Sequence, residues 1–173
     1  MILVEVVVDP GRRLPEAEDL RQLSERKAPV MQFTLIGMAV AAENPAASAA
    51  WFAEHFGFKV GIDLGWYAST QHADHPTVSL DFVQRDHQSW PRATQGKAVV
   101  GTLMAFLVAD VDTEYERLRA AGLEVVMPLV TEPWGQRRFQ VAGPDGLLVE
   151  VLQMVAADPR WLAENGLAVA ATP

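Results

Sequence analysis

The closing strand-like run in each half of the chain alternates apolar and polar residues around one carboxylate. The first reads Ser79-Leu80-Asp81-Phe82-Val83-Gln84, the second Leu148-Val149-Glu150-Val151-Leu152-Gln153. Alternation of period two marks a strand with two unlike faces. Parity puts Val78, Leu80 and Phe82 on one face, with Ser79, Asp81 and Val83 on the other. In the second run Val149 and Val151 share a face, and Leu148, Glu150 and Leu152 share the opposite one. The first set is assigned to a covering helix. The second set, with both carboxylates, is assigned to an open cup. The alternative is a solvated outer face, which antiparallel sheets commonly have.

The pattern upstream of each run has the same order: apolar strand, helix, Gly, strand, turn, strand. In the first half, Phe33 to Val40 predicts a buried strand. Asn44-Pro45 opens a helix, because Asn caps well and Pro suits the first helical position. Trp51, Phe52 and Phe56 form its apolar stripe and Gly57 ends it. Phe58 to Leu64, Trp66 to Thr70 and Val78 to Gln84 follow as strands. Arg85 to Lys97 is a polar linker. In the second half, Thr102 to Val108 is a strand. Asp110 or Asp112 caps a helix running through Ala121, with Tyr115 and Leu118 on its core face and Gly122 at its end. Leu123 to Met127 and Gly135 to Val141 follow, then the turn Gly143-Pro144-Asp145-Gly146 and the strand Leu147 to Gln153. The halves are offset by about 65 to 69 residues. A duplicated unit of this kind can curl around a shared cup.

Residues 1–30 stand outside the repeat. Ile2 to Val8 is β-prone, and Pro15 to Lys27 has a helical pattern with Leu20 and Leu23 on one face. They are read as an appendage: a loosely packed strand and helix, or sequence upstream of a start at Met31. The expected organisation is residues 1–30 as appendage and 31–156 as one domain, with modules at 33–84 and 102–153. Residues 157–173 form a tail in which Asp158-Pro159 begins a short helix.

Composition narrows the function classes. Half of the 173 residues are hydrophobic, enough for a proper core. The net charge of -8 argues against nucleic acid and anionic membranes, which require a basic face. No run approaches the roughly 20 apolar residues of a membrane helix. No address signal is recognised, so a cytoplasmic protein is expected. The absence of cysteine excludes disulfides, a thiolate nucleophile and a zinc–thiolate site.

Candidate chemistry is sparse. His72 and His75 share a polar turn with Asp74, either at the rim of the cup or in a solvated loop. His55 lies at the end of the first helix and His87 in the linker. No Ser-His-Asp spacing or phosphate-binding Gly loop is present. Glu132-Pro133-Trp134-Gly135-Gln136-Arg137-Arg138-Phe139 combines an aromatic wall with two guanidinium groups. Alternation sends Arg137 and Arg138 to opposite faces. One of them either binds an anionic ligand group bidentately or neutralises Asp81 or Glu150. Trp66 and Trp134 are either stacking walls or plain core.

Three segments carry a family resemblance: Trp51-Phe52 through Phe56-Gly57-Phe58, Phe106-Leu107-Val108-Ala109-Asp110-Val111-Asp112 with Gly122, and Gly143-Pro144-Asp145-Gly146 to Glu150. In this order the chain resembles the vicinal oxygen chelate superfamily of glyoxalases, bleomycin-resistance proteins and extradiol dioxygenases, over about Phe33 to Met154. The resemblance implies an α+β fold of two βαβββ modules in a curved mixed sheet around a cup. It is poorly specific for reaction. In metal-dependent members, each module supplies one ligand from its first strand and one from its last. Glu150 matches the last-strand carboxylate of module two, and Asp81 falls at or near that of module one. Gly37 and Leu103 fall at the first-strand positions and have no donor. A catalytic metal requires about three protein ligands, so no metal or other cofactor is expected. If a divalent metal ion binds, Asp81 and Glu150 would hold it.

The expected ligand-binding set is Leu35, Trp66, Asp81, Leu103, Trp134, Arg137, Arg138, Leu148 and Glu150, with no catalytic residue assigned. The preferred expectation is a homodimer binding a small hydrophobic or aromatic molecule without metal, as drug-sequestering members do. The alternatives are a divalent-metal isomerase, lyase or dioxygenase using Asp81 and Glu150, and a non-catalytic interaction protein.

Overall fold

The computed structural model describes Val7, Val8, Met31 and residues 33–168. It divides into two units. The larger comprises Phe33–Val130 and Arg138–Gln153 and contains most of both repeats. Among described residues, the smaller gathers 131–137, the segment from Met154 to Ala168, and a short N-terminal strand.

Module one consists of β2 (Ile36–Ala42), α1 (Pro45–Phe56), β3 (Phe58–Asp63), β4 (Tyr67–His72) and β5 (Val78–Gln84). Its strands lie in the order β2-β5-β4-β3. The β2–β5 pair is parallel and the others are antiparallel. The helix starts where the sequence predicts. The Asn44 side-chain oxygen accepts from the Ala47 N–H at 3.1 Å, and Pro45 takes the first position. It stops at Gly57, whose φ of 72° suits a residue without a side chain.

Module two repeats this with β6 (Leu103–Leu107), α2 (Val111–Ala120), β7 (Val125–Glu132), β8 (Gln136–Ala142) and β9 (Leu148–Met154). The strand order is β6-β9-β8-β7, with β6 and β9 parallel. Of the two candidate caps, Asp110 is the one used: its carboxylate accepts from both the N–H and the hydroxyl of Thr113. Those two bonds hold the Asp110 carboxyl below its ordinary value. The eight strands thus form two four-stranded mixed sheets in an α+β fold.

Four of the helix-facing residues follow the predicted parity, whereas Val78, assigned to the same face, is 38% exposed at the start of its strand. Leu80, Phe82, Val149 and Val151 are buried with Phe52 and Leu118 in one core that spans both modules. Phe52 touches the rings of Trp51, Phe56, Phe58 and Phe82. Burying one such side chain contributes roughly 1.5–3 kcal/mol. The modules meet through Phe56, stacked on Phe106 at 5.1 Å. They meet again at Asp145, in the module-two turn. Its carboxylate accepts from the Glu43 N–H at 2.8 Å and the Ser48 hydroxyl at 2.6 Å, at the start of α1.

Two local expectations are corrected and one is refined. The first strand begins at Ile36 rather than Phe33, and Phe33, Leu35 and Ile36 are exposed rather than buried. β2 is an end strand of its sheet, so an apolar run there does not imply burial on both faces. β7 runs on to Glu132, well past Met127, because it continues into the hairpin with β8. The Gly143–Gly146 turn contains a one-turn 3-10 helix, Pro144–Gly146, with Asp145 at a φ of 60°.

In the smaller unit, β1 (Val7–Val8) pairs antiparallel with β10 (Leu167–Ala168). The rest of the predicted Ile2–Val8 strand, the predicted helix over Pro15–Lys27 and the last five residues of the tail lie outside the described residues. The tail helix forms as predicted, as α3 (Pro159–Glu164), with Asp158 accepting from the Arg160 N–H. The Val155 N–H donates to the Gly135 carbonyl, and the Asp158 N–H to the Pro133 carbonyl. No described helix is long and apolar enough to cross a membrane.

Candidate functional site

Asp81 and Glu150 both lie on the sheet faces turned away from the helices, and there the similarity ends. Glu150 is buried, at 8% exposure. Its Oε2 accepts from Arg138 Nη1 at 2.7 Å and from Gln140 Nε2 at 2.8 Å. Arg138 and Gln140 are two apart on β8 and therefore share a face. A buried carboxylate is costly unless paired, and this pair cancels its charge. Of the two fates expected for Arg138, neutralising Glu150 is the one observed.

Asp81 is half-buried. Its Oδ2 accepts from the Tyr67 hydroxyl at 3.0 Å. Burial first, then the bond to Asp81 and the nearby negative charge, raise the Tyr67 phenol above its ordinary value. The phenol is therefore a neutral donor at physiological pH. Tyr67 and Gln140 are the two site residues that sequence reading missed. Parity already placed Gln140 on the Arg138 face. Tyr67 required the strand register, which pairs it with Val83, two residues from Asp81.

Register also fixes what flanks the two acids. On the adjoining first strands, Asp81 pairs with Ala39 and Glu150 with Ala105. The positions anticipated from the resemblance, Gly37 and Leu103, pair instead with Ser79 and Leu148. A Cβ at Gly37 would meet Ser79 Oγ at 2.5 Å, so a ligating side chain there would require Ser79 to move. None of Ala39, Ala105, Gly37 and Leu103 carries a donor atom. Among the described residues, no group of three or more His, Asp or Glu side chains is placed to hold a metal ion. The described residues therefore do not supply the roughly three protein ligands that a catalytic metal centre requires.

The remaining candidates fall in different places. Leu103 and Leu148 are register partners on the Glu150 face, at 40% and 36% exposure. Leu35 is exposed just before β2. Trp66 is exposed and stacks on His87 at 3.9 Å between ring centres. Trp134 and Arg137 belong to the smaller unit. There Trp134 packs on Trp161, bonds to Gln136, and Arg137 donates to the Thr131 hydroxyl. The candidate site therefore rests on residues of the larger unit.

An open cavity of about 480 Å³ has Phe58, His72, His75, Val78 and the Met104–Val108 segment as its walls. His72 is the last residue of β4, not part of a loop. Its ring meets Phe58 edge-on at 5.2 Å and lies 4.9 Å from His75. Its Nδ1 accepts from the Asp74 N–H, which puts the proton of the neutral ring on Nε2. Neither Asp81 nor Glu150 is among these walls.

Solved structures of similar fold include a glyoxalase/bleomycin resistance protein/dioxygenase from Nocardioides. It is 23% identical, with a TM-score of 0.61, covering 80% of this chain and 93% of that one. TnmS3, an antibiotic binding protein from Streptomyces sp. CB03234, is 21% identical with a TM-score of 0.55, covering 73% and 98%. A lactoylglutathione lyase from Agrobacterium tumefaciens is 21% identical with a TM-score of 0.56, covering 73% and 96%. At these identities the likeness establishes the fold alone. No curated protein matches the chain significantly. The family model for the Glyoxalase/Bleomycin resistance protein/Dioxygenase superfamily matches residues 34–151, nearly all of both modules, and the chain belongs to that superfamily.

Proposed function

We propose that the protein binds a small hydrophobic or aromatic molecule over the open faces of its sheets, without a metal ion, as a cytoplasmic homodimer. The observation that carries this reading is the pair of alanines beside the two carboxylates. Ala39 and Ala105 stand where a further donor would be needed, and Arg138 and Gln140 already engage Glu150. Apolar surface supports it as well. Leu103 and Leu148 offer exposed side chains around Glu150, and Trp66 and Leu35 add to them on module one. Ile36 at 64% and Leu107 at 49% exposure lie on β2 and β6, end strands of their sheets. Exposed apolar end strands favour association with a second copy. The antibiotic binding protein among the structures of similar fold is in keeping with a binding role.

The test is metal analysis of protein purified without added metal, beside thermal shifts with aromatic compounds and with divalent ions. Substoichiometric metal and stabilisation by aromatic compounds are expected. Stoichiometric metal whose loss accompanies Asp81→Asn or Glu150→Gln would overturn the reading in favour of a divalent-metal isomerase, lyase or dioxygenase. Sedimentation should give a dimer.

A further inference from the structure

The two carboxylates differ in charge balance, and that difference bears on what the face around Asp81 takes. Glu150 is matched by the Arg138 guanidinium at 2.7 Å. Asp81 is met by a phenol, which fixes the carboxylate through Oδ2 but contributes no positive charge. Among the described residues no ion pair reaches Asp81. The cation on the same face of the sheet is Lys59, one row along and two strands away, paired in register with Gln71. The rest of the Asp81 row is short: Ala39 on one side, Ser69 on the other, and Gly61 beyond, close to Ser69 Oγ. Ser69 Oγ is itself occupied as acceptor of the Ile62 N–H. A flat group can therefore lie against this row with its polar edge at Asp81.

Resting on the binding reading above, we propose that Asp81 makes the site selective for planar ligands bearing a protonated nitrogen, such as an amidinium or arylammonium. A half-buried carboxylate without a counter-ion gains most from a partner that brings both charge and N–H donors. Tyr67 contributes by holding Oδ2, which leaves Oδ1 to face the ligand. Anionic ligands are disfavoured, since the Arg138 guanidinium on the Glu150 face is engaged with Glu150. The chain's net charge of -8 acts in the same direction at long range.

The experiment compares three biphenyls of one shape by calorimetry on the full chain: biphenyl-4-carboxamidine (cation), biphenyl-4-carboxamide (neutral) and biphenyl-4-carboxylate (anion). The amidine is expected to bind about tenfold more tightly than the amide, and the carboxylate more weakly than either. The preference should shrink as salt is raised. Asp81→Asn should reduce it to about twofold or less while the amide still binds, and Glu54→Gln, exposed on α1 and outside the site, should leave it unchanged. Equal binding of amidine and amide to the wild type would overturn the charge selectivity and leave the binding reading standing. Persistence of the preference in Asp81→Asn would overturn the assignment to Asp81. Failure of all three compounds to bind would overturn both readings together.

Discussion

Arg138 Nη1 lies 2.7 Å from Glu150 Oε2, across neighbouring strands and on the face of the second sheet that turns away from its helix. The side chains are 20% and 11% exposed, so this is a largely desolvated ion pair. Removing one partner of such a pair costs more than removing both. Arg138→Met should destabilise by about 2–4 kcal/mol, reduced where Gln140 continues to hold Glu150. Arg138→Met with Glu150→Leu should recover most of that loss. Urea denaturation of the two singles and the double gives the coupling. Additive losses would mean that the pair is not a unit.

The Tyr67 phenol should titrate as a group held beside the Asp81 carboxylate. The chain has two tyrosines, so Tyr115→Phe leaves Tyr67 as the single phenol to follow by tyrosinate absorbance. Its ionisation should fall above the ordinary phenol range near about 10. Asp81→Asn should lower it but not fully, because burial is the larger cause and remains. The folded value is raised, so this contribution to stability is fully present below the unfolded value and is lost as pH rises through the folded one. An unchanged Tyr67 titration in Asp81→Asn would contradict the pairing.

Asp145 joins the modules from a strained backbone position. Its φ of 60° lies in the left-handed region, and its side chain is 6% exposed. Asp145→Ala loses two acceptor roles and keeps the strain, and should cost about 2–4 kcal/mol. Asp145→Asn should cost clearly less, because Asn tolerates this conformation and retains an acceptor oxygen. Thermal denaturation of both variants provides the comparison. Equal losses would show that the carboxylate charge beside Arg85, 3.6 Å away, matters more than the hydrogen bonds.

The Phe56–Phe106 stack is the aromatic seam between the modules. A double-mutant cycle with leucine at each position should return a coupling of about 1 kcal/mol. Phe52→Ala, fully inside the core, should cost about 3–5 kcal/mol and mark the upper end of the scale. A coupling near zero for Phe56 and Phe106 would shift the weight of the module contact to Asp145.

Local physics written into neighbouring residues determined much of this protein from its sequence. Asn44-Pro45 and Gly57 bound the first helix because cap chemistry and a left-handed terminus act within a few residues. The alternation around Asp81 and Glu150 assigned their faces because side-chain direction on a strand has period two. The order of elements, read twice, carried the duplicated α+β fold and the family. Register and packing between distant segments were decided by the tertiary structure. Which of Arg137 and Arg138 meets Glu150, that Tyr67 rather than a cation meets Asp81, and that the acids adjoin Ala39 and Ala105 all depend on how strands pair. The Trp134 packing on Trp161 joins residues 27 positions apart through the chain's return in the tail. Parity assigns a residue to a face but does not set its partner on the next strand, because pairing register is fixed by the whole sheet and the core beneath it.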